Sequence, residues 1–446
     1  MSIFKAYDIR GLAGVELDEE MAYRIGFYLP TLLGSDQVLL GRDARESSPA
    51  LHQAVLKGIL DAGADVVDAG LCTTPMLYFA AGQYGYRASI QITASHNGPE
   101  YNGFKISGAN ALPVGYEQGL GKLESMVRQA PKTAGRRGSA KQMDFRLPYL
   151  AFLQEKTGNY QPQIPILVDT SNGMGGLLAP SIFGKDATYL FLDIDGRFPG
   201  HDPNPLNPDS RRVLSEAVQK QGAALGMIFD GDADRVMFVD EQGAFISPDL
   251  MIAVLGHHFL PGRPPAKVLQ DIRSSRAVAE YLAQWKAEVY TWRVGRAFAA
   301  SRLRTLDGVY GGELAGHYYF RDFFFSDSGM LAALLITRVA EEFAEKGIPL
   351  SALIQTIQPY HNSGEINFRI EDKAGAIQAV LDVLPEGEAP VSIMDFDGYR
   401  LDFPDWWFNI RASNTEPYLR FIAEAKYPGM LASKLSLLES VLNSVQ

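Results

Sequence analysis

Val38-Leu39-Leu40-Gly41-Arg42-Asp43 is an apolar strand ending in an acid, and Ser47-Ser48-Pro49 then opens a helical pattern that runs to Ala62. Strand, acidic turn and helix start make up the βα unit of a parallel sheet. The pattern returns twice. Ile164-Pro165-Ile166-Leu167-Val168-Asp169 precedes Ser171-Asn172-Gly173 and a further apolar segment, and Val268-Leu269-Gln270-Asp271 precedes Ser274-Ser275 and an amphipathic stretch over 277–285. Beginnings spaced about a domain apart predict three similar α/β domains in tandem. The last portion alternates instead. Glu365-Ile366-Asn367-Phe368-Arg369-Ile370, Val391-Ser392-Ile393-Met394, Trp406-Trp407-Phe408-Asn409-Ile410-Arg411 and Leu419-Arg420-Phe421-Ile422-Ala423 read as strands, with helices over 374–384 and 430–445. That pattern predicts a smaller α+β domain with a largely antiparallel sheet. Seams near Lys141, Gln242-Gly243 and Gln358-Pro359 divide the chain into 1–142, 143–243, 244–358 and 359–446.

The 446 residues exceed one ordinary core, and 46% hydrophobic with 21% charged residues is ordinary globular composition. Cys72 is the single cysteine, so no intrachain disulfide forms. The start, Met1-Ser2-Ile3-Phe4-Lys5, lacks the apolar region of a signal peptide, and the uncharged stretch 69–86 is broken by Pro75 and several glycines. A cytoplasmic protein with no membrane partner is the expectation. A net charge of −11 argues against broad capture of nucleic acid. A small phosphorylated substrate stays open, since binding one takes only a few placed arginines.

Four loops carry candidate chemistry. Thr93-Ala94-Ser95-His96-Asn97 follows the strand-like Ala88-Ser89-Ile90-Gln91-Ile92 and precedes Tyr101-Asn102-Gly103-Phe104-Lys105. It sets an exposed serine at a strand end, with His96 and Lys105 near. The serine is either the carrier of a covalent intermediate or part of a polar turn. Ile228-Phe229-Asp230-Gly231-Asp232-Ala233-Asp234-Arg235 places three aspartates at alternate positions after a strand, a set suited to Mg²⁺. A calcium loop of the helix–loop–helix kind is rejected, because Arg235 stands where that loop needs glycine and the flanks read as strands. Gly311-Gly312-Glu313-Leu314-Ala315-Gly316-His317 combines close-approach glycines with an acceptor and a proton carrier, although a tight turn explains it as well. Arg411-Ala412-Ser413-Asn414-Thr415-Glu416-Pro417 suits a phosphate dianion, or is a capped, proline-stopped turn. Gly173-Met174-Gly175-Gly176 is not a dinucleotide fingerprint, and no phosphate-binding Gly-x-x-x-x-Gly-Lys loop exists.

In this order the four loops, with the opening Phe4-Lys5-Ala6-Tyr7-Asp8-Ile9-Arg10-Gly11, resemble the α-D-phosphohexomutase family, the phosphomannomutases and phosphoglucomutases. The resemblance spans nearly the whole chain. It implies three similar α/β domains with mixed sheets and a smaller fourth around a central cleft. It also implies a phosphohexomutase that interconverts hexose 1-phosphate and 6-phosphate through a phosphoserine at Ser95 and a hexose 1,6-bisphosphate, which also serves as activator. Mg²⁺ would be held by Ser95, Asp230, Asp232 and Asp234. Arg10 and Arg235 would steady the moving phosphoryl group, and Lys105 and His317 would move protons, with His96 beside the serine. Tyr7 and Glu313 would line the sugar site, while Arg411, Ser413, Asn414 and Thr415 would grip the phosphate that is not reacting.

The chain departs from the family pattern in three places. Ala233 replaces the second glycine of Asp-Gly-Asp-Gly-Asp-Arg, so the loop is expected to avoid positive φ there. Ala315 stands where a serine is frequent, which removes a hydrogen bond worth about 0.5–1.5 kcal/mol. Trp292-Arg293-Val294-Gly295-Arg296 replaces a Lys-Thr-Gly-His pattern, and no catalytic role is carried onto Arg293 or Arg296. Asn414 resembles the mannose/glucose branch, and the residues around Trp406 look most like bacterial phosphomannomutases. Mannose is therefore the first expectation, dual or glucose-preferring activity the second, and a phosphosugar phosphatase a distant third. Oligomeric state is not legible.

Overall fold

The three strand-ending acids of the repeats fold alike. In the computed structural model, which describes residues 2–132, 135–413 and 418–444, each carboxylate accepts the backbone N–H two residues on. Asp43 takes Arg45 at 3.1 Å, Asp169 takes Ser171 at 2.8 Å and Asp271 takes Arg273 at 2.7 Å. A short acid can close such a turn on its own backbone, so it serves at the point where a strand stops and the chain swings toward its helix.

Each repeat contributes a mixed sheet. The first runs, edge to edge, Ile9–Leu12, Tyr101–Gly108, Ala88–Ile92, Gln37–Arg42, Asp65–Leu71 and Ala140–Gln142, parallel over the last four and antiparallel over the first three. The second runs Phe245–Ile246, Val236–Asp240, Leu225–Phe229, Ile166–Asp169 and Thr188–Leu190. The third runs Glu288–Trp292, Lys267–Asp271, Tyr310–Gly312, Tyr318–Phe320 and Ser326–Asp327. Central strands such as Ala88–Ile92 and Leu225–Phe229 are buried along their length, as strands covered on both faces must be. In every sheet the antiparallel hairpin places a functional loop or its partner strand at one end. The second repeat departs from the simple pattern, because only a short helix, Ala179–Phe183, follows its first strand.

The fourth sheet, built from strands between His361 and Ala425, is antiparallel throughout. Its apolar core, centred on Trp406, Phe408 and Phe421, draws every member from residue 368 onward. A larger apolar cluster instead runs continuously from Leu39 through Phe229 to Ile357 and joins the other three. Hydrogen bonds and ion pairs join the fourth unit to the third, and Phe396 stacks on Trp292 at 5.4 Å. Arg276 donates to the carbonyls of Phe403, Pro404 and Trp406, and Arg400 donates back to those of Ile272 and Ser274. An open cleft of about 540 Å³ lies between Ile354 and the final helix near Leu431 and Leu435. A largely polar, partly open seam whose two apolar clusters stay separate among the described residues is the kind across which domains move. Among the described residues no helix is long and apolar enough to cross a membrane.

Candidate active site

Where the strand Ala88–Ile92 ends, Thr93 Oγ1 accepts the Ser95 N–H at 3.0 Å and Ser95 takes φ 52°. A left-handed serine is strained and persists only if its surroundings dictate it. Arg45 supplies that constraint. Its guanidinium, with 1% of the residue exposed, donates to the carbonyls of Ser95 (2.9 Å), Asn97 (2.6 Å), Gly98 (2.5 Å) and Tyr101 (3.0 Å), while Nε pairs with Asp43. The sequence predicts an exposed serine, and the structure corrects that. Ser95 is 1% exposed because its Oγ donates to Asp230 Oδ2 of the second sheet at 2.7 Å.

The three aspartates lie in the turn between Leu225–Phe229 and Val236–Asp240, all fully buried. Gly231 allows the approach, since a Cβ there would stand 2.4 Å from the Ser95 carbonyl oxygen. Ala233 overturns a second expectation. Its φ is 62°, so the loop keeps the left-handed turn and carries an alanine in it, with the methyl fully buried. Lys105 Nζ, also buried, donates to Asp232 Oδ2 at 2.6 Å and to Asp234 Oδ2, and Thr74 Oγ1 donates to Asp232 Oδ2 at 2.5 Å.

One ammonium does not balance three carboxylates. Burial, then the charges of Asp234 and Asp232, push Asp230 up to about 8. Asp234 is held below its usual value because Lys105 and then His317 outweigh its burial. Oδ1 of Asp232 and of Asp234 is buried and accepts no hydrogen bond from the described residues, and ligand atoms of all three acids lie within 4.8 Å of one another. Orphaned oxygens on mutually repelling acids fit a hard divalent cation, Mg²⁺ among them.

The third sheet brings its loop onto this cluster. Val236 N donates to Gly316 O at 3.1 Å, and Arg235 and His317 pair as an isolated bridge. His317 Nδ1 lies 2.6 Å from Asp327 Oδ2 and 3.8 Å from Asp234 Oδ1. These acids raise the imidazole pKa against the effect of burial. With Nδ1 held, Nε2 is the ring nitrogen left to exchange a proton with a ligand. Asp327 gives its other oxygen to Arg296 Nε at 3.2 Å, and Arg296 continues to Ser107 Oγ at 3.3 Å and lies over the Tyr78 ring at 4.0 Å. Arg296 thus serves as a buried staple between the first and third sheets. Glu313 is already engaged, its Oε1 accepting from Gly295 N at 2.6 Å and its Oε2 from Tyr319 Oη at 2.8 Å.

The remaining predicted residues fall into two groups. Arg10 joins the serine loop, donating to Asn97 Oδ1 and Asp8 Oδ2, each at 2.5 Å. Arg235 Nε lies 3.7 Å from Asp230 Oδ2. His96 is held neutral, well below its ordinary pKa, by burial and by the cations Arg235, Arg10 and Lys105. Tyr7 packs edge-on to Phe298 and against Gly295, beside the backbone that Glu313 holds. Arg411, at the end of strand Trp406–Ala412, sits apart with Arg273, Arg420 and Glu365. Ser413 N donates to Tyr418 O at 2.8 Å, while Asn414 and Thr415 lie outside the described residues. The sequence reading missed Arg45, Asp327, Arg273 and the placement of Arg296. For Arg45 and Arg273 a signal existed, an arginine two positions after a strand-ending acid in two repeats.

This geometry joins a serine hydroxyl, a cluster of three buried acids, a buried lysine and a histidine at the meeting of three sheets, with guanidiniums on a fourth. Four family models, the phosphoglucomutase/phosphomannomutase α/β/α domains I, II and III and the C-terminal domain, match residues 1–134, 148–243, 247–360 and 365–435. A phosphomannomutase of Salmonella montevideo is 37% identical over 100% of this chain and 99% of its own. A phosphoglucomutase of Neisseria gonorrhoeae is 33% identical over 95% of this chain and 93% of its own. A crystal structure of a phosphoglucomutase/phosphomannomutase family protein from Burkholderia thailandensis superposes with a TM-score of 0.89 at 29% identity, covering 99% of this chain and 97% of that one. The chain therefore belongs to the phosphoglucomutase/phosphomannomutase family and is an enzyme of that family.

Proposed function

We propose that the enzyme interconverts the 1- and 6-phosphates of a hexose, mannose first, through a phosphoserine at Ser95 and a hexose 1,6-bisphosphate. The observation that carries the reading is the Ser95 Oγ–Asp230 contact of 2.7 Å, which ties the nucleophile to the acidic cluster. Asp230, Asp232, Asp234 and the Ser95 phosphoryl group would hold Mg²⁺, which when bound supplies positive charge against the phosphoryl oxygens. Arg10 and Arg235 lie beside Ser95 and Asp230 and stabilise charge on the group in transfer. In the forward step the sugar hydroxyl forms the new O–P bond as the Ser95 O–P bond breaks. The hydroxyl proton leaves to a base, and the second half reverses the step at the other end of the bisphosphate.

His317 is the better proton carrier of the two candidates, because Asp327 fixes Nδ1 and leaves Nε2 for the ligand. Lys105 is kept charged by Asp232, Asp234 and Asp230 against the effect of burial, which suits an acid rather than a base. Tyr7 and Glu313 support the sugar loop and meet hydroxyls through their remaining lone pairs. Arg411 and Ser413, with Asn414 and Thr415, take the non-reacting phosphate and so align the reacting end. The hexose bisphosphate serves as activator by restoring the phosphoserine. The relatives named phosphomannomutase and phosphoglucomutase favour a second reading in which both sugars are accepted.

Paired rates on mannose 1-phosphate and glucose 1-phosphate, with Mg²⁺, a trace of bisphosphate and Ser95→Ala as control, test the reading. Ser95-dependent turnover with negligible phosphate release is expected, and the ratio of rates selects the sugar. Steady release of phosphate would instead identify a phosphatase.

A further inference from the structure

Thr74 is fully buried and begins the helix Thr74–Gln83 of the first domain. A hydroxyl at a helix start usually caps backbone N–H groups, but here Thr73 does so, accepting from Met76 N at 3.1 Å. The Thr74 hydroxyl is not spent on the cap. It donates to Asp232 Oδ2 at 2.5 Å, 158 positions along the chain, and Thr74 N donates to the Asp232 carbonyl at 3.2 Å. One residue of the first domain thus holds both the backbone and the carboxylate of an acid in the second. The donors also divide the oxygens of the acidic loop. Oδ2 of Asp232 accepts from Thr74 and Lys105, and Oδ2 of Asp234 accepts from Lys105. Oδ1 of both acids is buried and accepts nothing from the described residues. A buried carboxylate oxygen left bare is costly, and it is the atom that a hard cation takes.

We propose that Thr74 is a positioning residue of the cation site: its hydroxyl holds Asp232 Oδ2 and so keeps Oδ1 turned to the divalent cation. This rests on the reading of the three aspartates as that site. Lys105 shares the oxygen but does not replace Thr74. Its ammonium is divided between two acids, ends a long flexible stem, and in the proposed function serves the ligand as an acid. A β-branched side chain has few rotamers, and the bond from Thr74 N to the Asp232 carbonyl fixes this one further. When Lys105 turns to the ligand, Thr74 is the donor that stays. Groups that stand behind a metal ligand in this way govern affinity by about ten- to a hundredfold. Because the bond joins two domains, it also makes the cation site depend on how the first sheet is seated against the second.

The test is titration of full-length Ser95→Ala protein with Mn²⁺, an oxygen-seeking ion that stands in for Mg²⁺ and whose free concentration is read by electron paramagnetic resonance. The Ser95→Ala background keeps every sample free of phosphoserine. Two pairs differ by the hydroxyl alone: the parent against Thr74→Val, and Thr74→Ser against Thr74→Ala. Loss of the hydroxyl is expected to weaken Mn²⁺ binding about tenfold or more in each pair, with Thr74→Ser within about twofold of the parent. Equal affinity within a pair overturns the proposal. So does a loss in Thr74→Ser as large as that in Thr74→Val, which would trace the effect to packing at the helix start. Melting temperature is recorded for each protein, and where one substitution prevents folding the other pair decides by itself. Asp232→Asn separates the two layers. Mn²⁺ binding that it leaves unchanged removes the cation-site reading, whereas binding lost with Asp232→Asn but kept with Thr74→Val removes the positioning role alone.

Discussion

Replacing Arg45 by lysine keeps the charge and most of the length but removes the fork. The arginine satisfies four carbonyls of the serine loop and one carboxylate from a single planar group. An ammonium has three donors and no fixed plane, so at least two acceptors lose their partner. Asn97, Gly98 and Tyr101 are half-buried and their carbonyls can turn to water, but Ser95 is 1% exposed and its carbonyl cannot. Hydrogen bonds to charged donors are worth about 1.5–3 kcal/mol each. One stranded and one rehydrated carbonyl set the loss at roughly 2–4 kcal/mol. The larger effect falls on the serine. Its left-handed φ of 52° has no intrinsic support, and once the clamp loosens the loop relaxes. A displacement of about 1 Å at a nucleophile costs on the order of a hundredfold in rate. Arg45→Lys should therefore lower kcat by about ten- to a hundredfold. KM for the sugar phosphate should stay nearly unchanged, because the proposed function assigns sugar and distal phosphate to other loops. Steady-state kinetics with saturating bisphosphate check this. Unchanged kcat, or a loss confined to KM, would refute the clamp.

Other perturbations read other parts of the site. Gly231→Ala places a methyl 2.4 Å from the Ser95 carbonyl and should separate the two loops, costing about 1–3 kcal/mol and most of the activity, by kinetics and melting temperature. Asp327→Asn removes a carboxylate that favours the His317 imidazolium, so the acidic limb of the kcat profile should move to lower pH while KM holds, and an unmoved limb would count against His317 as the base. Asp249 is pushed from 3.8 up to about 6 by burial, so the folded state binds its proton more tightly than the unfolded chain does. Its contribution to stability is complete below about pH 4 and is lost as pH rises to about 6. Asn does not titrate, so the stability of Asp249→Asn relative to the parent should climb across that window and level off above it, by at most about 3 kcal/mol. A gap independent of pH would show that Asp249 titrates normally.

What the sequence disclosed followed from how locally each feature is encoded. The strands that end in Asp43, Asp169 and Asp271 were legible because strand period, acid and turn lie within a few residues, and the structure closes all three turns in the same way. The serine and aspartate loops were legible because their chemistry is contiguous. Exposure of Ser95 was misjudged because its cover comes from Asp230, 135 positions on. The backbone at Ala233 was misjudged because propensity argues against a left-handed alanine, and packing in the buried turn overrides propensity. The roles of Arg45, Asp327 and Arg296 stayed hidden because each acts on partners that only the tertiary fold supplies, even though Arg45 repeats in place at Arg273 and Arg296 stands out among the departures. In space each is buried where charge must be answered.

The most direct test of the account follows the phosphoryl group itself. Intact and peptide-level mass spectrometry of the enzyme would be recorded after exposure to hexose 1,6-bisphosphate and again after a chase with mannose 1-phosphate and Mg²⁺. The account predicts one phosphoryl group on the peptide bearing Ser95, lost to sugar on the chase and absent from Ser95→Ala. Turnover with Ser95 unmodified throughout, or label resident on another side chain, would contradict it.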